Sequence, residues 1–458
     1  MTNSVLAYFD HSLDAALGIL HRPWFEQQLS AHLAGILFDS SPTWHALRNV
    51  VLAAGCRIEM SKTRPFHEAA QHAWHYFENA LSVYARLLFF KTSIAGVQVL
   101  TLMAFYTQNI STPCLEYMLS ADAVRLAFAK GLHRAPPSTQ GLSLQEMDLC
   151  NSIFWAIFCL EKQIASQSGR PSAIDDDEVT CPLPVGGDAG SALNVPYCHC
   201  LIRLAQMSSK IEKRLSTAQC RHLNLESTMR VVQQLDFEMT NIKASLHDNF
   251  GLVLGDKPTT DATGGLHLEQ YLHVQYAYFT AMLSIHTVLA YPWLRALVGA
   301  RECSQESDAV LQSVQVVAKT SRAAVLLTEN IRFNAQTPVP VAFFGPIYAL
   351  ISLFVCCLSS ETTQSDLAIM EIGTGYFGRI YVSTDSLISV PFVRTLTTLV
   401  AERSAPLHAR DDLTSNQQGI DDEFSRLGGA DSTLDVEDWC TFLRTSPADQ
   451  SSHLETFL

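Results

Sequence analysis

The 458 residues carry a formal net charge of −14 and are 48% hydrophobic and only 17% charged. A chain so apolar can bury a large core, whereas its net negative charge works against direct binding to nucleic acid. Twelve cysteines are scattered without any Cys-x-x-Cys pair, which excludes a thiolate zinc cluster within these residues and argues against a disulfide framework, so a reducing compartment is expected.

Taken in chain order, the pattern is helix after helix. The first ten residues place no positive charge before their apolar ones, so no signal peptide is expected. Leu13, Ala16, Leu17 and Leu20 recur at helical spacing, and Pro23 either interrupts that helix or opens the next. Residues 50–56 read as a short buried helix, and residues 68–90 as a long amphipathic, aromatic-rich one. Residues 92–107 are apolar nearly all round, the mark of a central buried helix. The stripe Leu115, Leu119, Ala123, Leu126, Ala127 ends at Gly131, expected as a left-handed C-cap. Ser143 and Glu146 form a capping box that opens a helix with Met147, Cys150, Phe154, Ile157 and Phe158 on its apolar face.

Gly169 and Pro171 are expected to stop that helix, because Gly tolerates a left-handed turn and Pro cannot continue. Val179, Cys181 and Leu183 then alternate between prolines, which predicts an extended segment laying alternate side chains on the helices. Helical patterns resume over residues 195–250, 266–300, 307–333, 347–358, 367–381 and 390–402. Residues 339–358 lack charge, but Pro340, Gly345 and Pro346 are expected to break their first third, leaving a buried core helix rather than a membrane span. No strand alternation or hairpin signal appears, so the fold class is all-α: a large multi-helix domain over residues 1–404. From residue 405 to 458 an acidic, disordered tail is expected. Residues 401–458 hold twelve acids against four arginines, with few aliphatics to build a core.

Several constellations invite a chemical reading. Gly373, Gly375 and Gly378 match G-x-G-x-x-G, but no strand precedes them, so close helix packing is the expected role. The acids of residues 175–178 resemble a magnesium set, yet they lie in a proline-flanked loop. A structural role is expected, with Asp175 or Asp177 pairing Arg170 or capping a helix. Glu68, His72 and His75 share a helix face without zinc-protease spacing and read as a polar surface. Lys210, Lys213 and Arg214 form the densest basic patch, interrupted by Glu212, and read as a solvated helix face. His133 and Arg134 follow the Gly131 cap, where a cation complements the helix C-terminus. No catalytic, cofactor-binding or metal-binding set emerges, and no cofactor is expected.

One combination is more specific. The Gly131-Leu-His-Arg134 helix end, the helix carrying Phe154-Trp155, and Gly169-Arg170-Pro171 followed by Ile174, acids and Pro182-Leu-Pro184 occur in that order. His21-Arg-Pro-Trp-Phe25 and Tyr76-Phe-Glu-Asn-Ala80 stand upstream of them. Together they resemble the regulatory middle-homology domain of fungal zinc-cluster transcription factors, best supported over residues 13–184, with the later helices fitting by pattern only. The resemblance implies an all-helical nuclear regulator, with many relatives controlling secondary-metabolite gene clusters. It also implies a DNA-bound factor or coactivator as partner, and a small-molecule effector. The sequence departs from the family in lacking the cysteine-rich zinc cluster, so direct DNA binding is not supported.

Asp435 to Leu443 mixes acids with Trp439, Phe442 and Leu443, the character of a transactivation segment. Three readings stay open: a co-regulator acting through a DNA-bound partner, a factor whose zinc cluster is encoded upstream, or a helical domain recruited as an enzyme or ligand-binding protein, for example a cyclisation catalyst. A transcriptional regulator of a secondary-metabolite cluster is the expected function, with no membrane involvement.

Overall fold

The computed structural model describes residues 2–36, 41–89, 93–108, 113–135, 142–186, 190–216, 223–255, 265–298, 308–359 and 363–384, with the isolated positions 219 and 398. Among these residues the backbone is dominated by helices, and no strand forms; a lone bridge joins His21 to Ser191. The chain begins with α1 (Thr2–His11), α2 (Arg22–Leu33), α3 (Pro42–Ser61), α4 (Phe66–Leu81), α5 (Tyr84–Phe89), α6 (Ile94–Thr107), α7 (Pro113–Ala129) and α8 (Leu144–Ser168). It continues with α9 (Val195–Leu215), α10 (Leu225–Phe250), α11 (Leu268–Ala290), α12 (Pro292–Leu297), α13 (Asp308–Leu327), α14 (Gly345–Ser359) and α15 (Gln364–Thr384).

Side-chain caps set many of the starts. Ser93, Asn194 and Asn224 accept from the backbone amides of Gly96, Tyr197 and Ser227 at 3.1, 3.2 and 2.8 Å, satisfying donors that the first helical turn leaves unpaired. Pro23, Pro42 and Pro196 stand in the first turn of α2, α3 and α9, where a missing N–H costs nothing. The Ser143–Glu146 capping box forms as expected, and Gly131 and Gly169 adopt φ of 71° and 63°. Pro23 therefore opens a helix rather than interrupting one.

Four of the expected helices differ, and one of them, the 266–300 pattern, divides into α11 and α12 where Tyr291 leaves the helix with ψ of 126°. Residues 13–20 form only a short 3-10 turn at Ala15–Leu17, because Gly18 turns left-handed where an added Cβ would press on Leu193 at 2.9 Å. The 68–90 segment divides into α4 and α5, with the Ser82 hydroxyl bonding back to the Asn79 carbonyl at 2.7 Å at the break. The 195–250 pattern divides into α9 and α10 because Ser216 leaves the helix with ψ of 153° and Asn224 caps a new start. Two other segments are larger than expected. Residues 50–56 belong to the much longer α3, and α1 is a helix where none was foreseen, burying Val5, Tyr8 and Phe9.

The 339–358 segment is also continuous. A π-helical turn at Pro340–Phe344 runs straight into α14, and the wider turn accommodates the prolines that were expected to break it. Pro340–Leu358 is long and apolar enough to cross a bilayer by length and composition, but 72% of its most apolar window is buried inside the fold. It is a core helix.

Packing joins these elements into one continuous apolar core. α1 and α4 lie on α3, α6 lies between α3, α7 and α8, and α8 pairs with α9. α9 leads to α10 and α11, and α11 packs on α13 and α14, with α15 against both of the latter. α6 is buried almost all round, as its composition predicts. Gly373 allows α15 to approach α14: an added Cβ there would lie 3.0 Å from Leu350, whereas Gly375 and Gly378 face open space. Close packing thus accounts for one glycine of the G-x-G-x-x-G match. The 390–402 helix and the 405–458 tail lie outside the described residues, apart from the helical residue at 398.

Candidate functional site

The loop after α8 is held by a buried ion cluster. Lys162, only 1% exposed, directs its ammonium to the Ser172 hydroxyl at 2.8 Å, the Ile174 carbonyl at 2.6 Å, the Ser209 hydroxyl at 3.1 Å and Asp176 Oδ1 at 2.7 Å. Its neighbour Glu161 accepts from the Ala173 amide at 2.6 Å and the Ser172 hydroxyl at 2.8 Å. Burial pushes the Glu161 carboxyl up, and those two hydrogen bonds oppose the shift. Adjacent residues of α8 thus grip the loop with opposite charges, while Ile174 inserts into the core at 2% exposure.

The motif residues then fall into place. Asp175 caps the 3-10 turn Asp176–Glu178 through the Asp177 amide at 3.3 Å and pairs with Lys213 at 2.7 Å. The Lys213 ammonium and the Asp177 amide hold its carboxyl below the usual range. The expected pairing of Asp175 or Asp177 with Arg170 does not form: Arg170 lies over the Tyr117 ring at 4.6 Å, and Asp177 is exposed. Pro171 is exposed beside them. Further along, the His133 carbonyl accepts from the Thr180 and Cys181 amides at 2.9 and 3.0 Å, and Arg134 meets Glu178 at 3.3 Å.

Burial beside Phe128 and the charge of Arg134 lower the pKa of His133, which works against its serving as a cation at that helix end. The alternation also slips: Val179 is half-buried and Cys181 buried, but Leu183 is 42% exposed and Pro184 takes the inward position. Trp155 Nε1 to the Pro182 carbonyl at 2.9 Å and His199 Nε2 to the Pro184 carbonyl at 2.7 Å fix that change. Asp148 closes the segment by accepting from the Val185 and Gly186 amides at 2.8 and 3.1 Å.

Other candidates resolve as surface or core. His72 and His75 are exposed, Glu68 meets Arg64 at 3.4 Å, and no metal-holding group of His, Cys, Asp and Glu occurs among the described residues. The basic patch is engaged within the fold: Lys210 pairs with Glu238, Lys213 with Asp175, and Arg214 donates to the neutral Gln234 at 2.9 Å. Cys198 and Cys200 are buried, and desolvation pushes both thiols up to about 12, so neither supplies a thiolate. Trp439, Phe442 and Leu443 lie outside the described residues.

The structure adds one constellation with no sequence signature. His286 stands between Ser313 Oγ and Asp236 Oδ1, each at 3.2 Å, joining α11, α13 and α10. Ser313 and His286 are 2% and 3% exposed. Ser faces Nδ1 and Asp faces Nε2, the reverse of the nitrogen assignment in a serine-hydrolase triad, and a buried hydroxyl cannot meet a substrate. It is a strut between helices.

A second unforeseen feature is a cleft where the 13–17 turn, α6, α8, α9 and α11 meet, with about 850 Å³ of empty space counting its open mouth. Leu160, Leu201, Leu204 and Tyr276 supply apolar walls, and Gln163, Ser166, Gln167 and Thr280 supply polar points. Tyr197 hydroxyl and His273 Nδ1 lie 3.0 Å apart at its edge, and burial lowers the His273 pKa to about 4, keeping the ring neutral. The polar residues of α8 were visible in the sequence, but a helix end that faces a cleft reads like one that faces water.

Residues 5–221 match the family described as the fungal specific transcription factor domain. The chain is also similar to the ABC-transporter-regulating transcription factors of Aspergillus oryzae, 25% identical over 84% of this chain and 44% of the relative, and Aspergillus fumigatus, 26% identical over 83% and 44%. A shorter match is to the Fusaridione A cluster transcription factor of Fusarium heterosporum, 31% identical over 30% of this chain and 26% of that protein. The chain thus spans less than half the length of these curated relatives. No solved structure matches. The clasped Gly-Arg-Pro loop and the helical architecture agree with these similarities, and over residues 5–221 the chain is similar to the fungal specific transcription factor domain.

Proposed function

We propose that this chain is a transcriptional regulator, nuclear in location, that controls a secondary-metabolite gene cluster. The observation that carries the regulatory role is the similarity to two transcription factors over more than four-fifths of the chain. The cluster assignment draws on the name of the Fusarium relative. Within these 458 residues nothing supplies a zinc cluster and the net charge is −14, so DNA targeting is assigned to a DNA-bound partner or to a zinc cluster outside them. On this reading residues 1–404 form the regulatory domain, and the acidic tail from 405 recruits a coactivator through Trp439, Phe442 and Leu443. The His286 group lends the enzymatic alternative no support, because its serine hydroxyl and imidazole are buried and only Asp236 reaches the surface.

A tethered reporter tests the activation role. Fused to a heterologous DNA-binding domain in a fungal host, the full chain is expected to raise reporter output several-fold. Replacing Trp439, Phe442 and Leu443 together by alanine is expected to return output most of the way to that of the DNA-binding domain alone. Unchanged output from the triple variant would remove the tail from the account.

A further inference from the structure

Ser or Thr stands directly before Pro at Ser41, Thr112, Thr337 and Ser446. Ser41 and Thr337 lie among the described residues, and the fold treats them in opposite ways. Thr337 is 8% exposed, and its hydroxyl is engaged inside a turn, donating to the Arg332 carbonyl at 3.4 Å and accepting from the Asn334 amide at 3.0 Å. Ser41 is exposed, with φ of −92° and ψ of 116°, and Pro42 follows it through a trans peptide bond as the first residue of α3. A proline ring holds the residue before it extended, so the dipeptide itself sets this geometry. An exposed hydroxyl on extended backbone before a partly exposed proline is what an enzyme reading Ser-Pro has to meet.

Little holds the Ser41 hydroxyl in place. It accepts from the Trp44 amide at 3.4 Å, longer than the caps at Ser93, Asn194 and Asn224. Pro42 brings no N–H to the first turn, and the Thr43 amide has no acceptor inside the helix. α3 runs for 20 residues, and its aligned peptides leave about half a positive charge at this end. A dianion on Ser41 therefore meets amide donors and a positive helix end while staying in water. The same group on Thr337 would have to be buried, at a large cost.

We propose that Ser41 is a phosphorylation site for a proline-directed protein kinase using ATP, and that its phosphate reinforces the start of α3. The serine Oγ attacks the γ-phosphorus, and a new P–O bond forms as the bond to the β,γ-bridging oxygen breaks. ADP leaves, and the hydroxyl proton passes to the catalytic carboxylate of the kinase. The phosphate then accepts from the Thr43 and Trp44 amides as a charged cap. α1, α4 and α6 all pack on α3, so the modification tightens the helix on which the N-terminal part of the fold is assembled. Nothing in this depends on the transcriptional reading.

The test treats the purified full chain with magnesium, ATP and a mitogen-activated protein kinase, and reads the modified positions by mass spectrometry. Ser41 is expected to be labelled at least about tenfold faster than Thr337, because only Thr337 needs local opening to be reached. Pro42→Ala is expected to abolish the label on Ser41 while keeping its hydroxyl. Hydrogen exchange of the peptide that opens α3 is expected to slow about threefold on phosphorylation at low salt, and the gain to shrink in concentrated salt. Ser41→Asn keeps a cap acceptor but offers no hydroxyl, so the same kinase treatment is expected to leave its exchange unchanged. No label on Ser41, an equal rate on Thr337, or labelling that survives Pro42→Ala would each overturn the proposal. So would exchange that stays the same or quickens on phosphorylation, or the same slowing in Ser41→Asn. The wild-type chain alone decides the first of these, whatever the variants do to folding.

Discussion

Replacing Lys162 by methionine is expected to destabilise the folded chain by about 3 kcal/mol, read by urea unfolding. Methionine fills a similar volume but carries no donors, so the Ser172, Ile174, Ser209 and Asp176 oxygens all lose their shared ammonium at once. Glu161, 7% exposed, is left as a buried carboxyl without its cationic neighbour. Asp176→Asn should cost far less, about 1 kcal/mol or below, because the Asp176 side chain is 24% exposed and water can replace the lost attraction. The variant should also open the loop, with new protease cleavage near the exposed Leu183 and Val185. If the two substitutions cost the same and the loop stays resistant, Lys162 is not the post on which the motif hangs.

Gly55→Ala should destabilise the chain by about 2 kcal/mol or more, against the ordinary sign of such a change. Alanine in a helix interior is normally favoured over glycine by about 1 kcal/mol. Gly55 sits within α3, and an added Cβ would collide with the backbone carbonyl of Ser4 in α1. A backbone atom cannot rotate aside as a side chain would, so α1 has to shift as a unit. That movement would pull Tyr8, whose hydroxyl donates to Asp14 at 2.8 Å, away from the core. Thermal unfolding and limited proteolysis near residue 12 read the effect. A gain of about 1 kcal/mol, the bare propensity value, would show that α1 does not dock on α3 in this way.

Both substitutions lie where the sequence was hardest to read. Periodicity identifies α6, α8 and α11 because apolar residues recur over several turns, and capping chemistry places the start of α8 at Ser143. The Gly131 and Gly169 turns are legible for the same local reason, since left-handed backbone selects glycine. Lys162 and Glu161 were not legible as a pair, because adjacent charges on a helix usually point to water. Only tertiary packing of Ser172 and Ser209 around them shows that they are buried. Asp175 was legible as a cap but not as the partner of Lys213, which lies on α9 far along the chain. The same limit hid α1, whose docking depends on a glycine fifty residues away, and the cleft, whose walls come from α6, α8, α9 and α11.

The reading of the Gly-Arg-Pro segment changes accordingly. Its acids look like a metal site in one dimension, yet Asp175 and Asp176 are each engaged by a lysine, and Asp175 also by a backbone amide. Carboxylates so occupied are structural ligands of the fold rather than ligands of an ion.

Deletion of the gene, with transcripts and metabolites followed in the same cultures, tests the regulatory role most directly. A transcriptional regulator predicts that mRNA from a set of pathway genes falls together and is restored by the intact coding sequence. Intact transcripts with one accumulating intermediate would contradict it and make the chain a pathway enzyme.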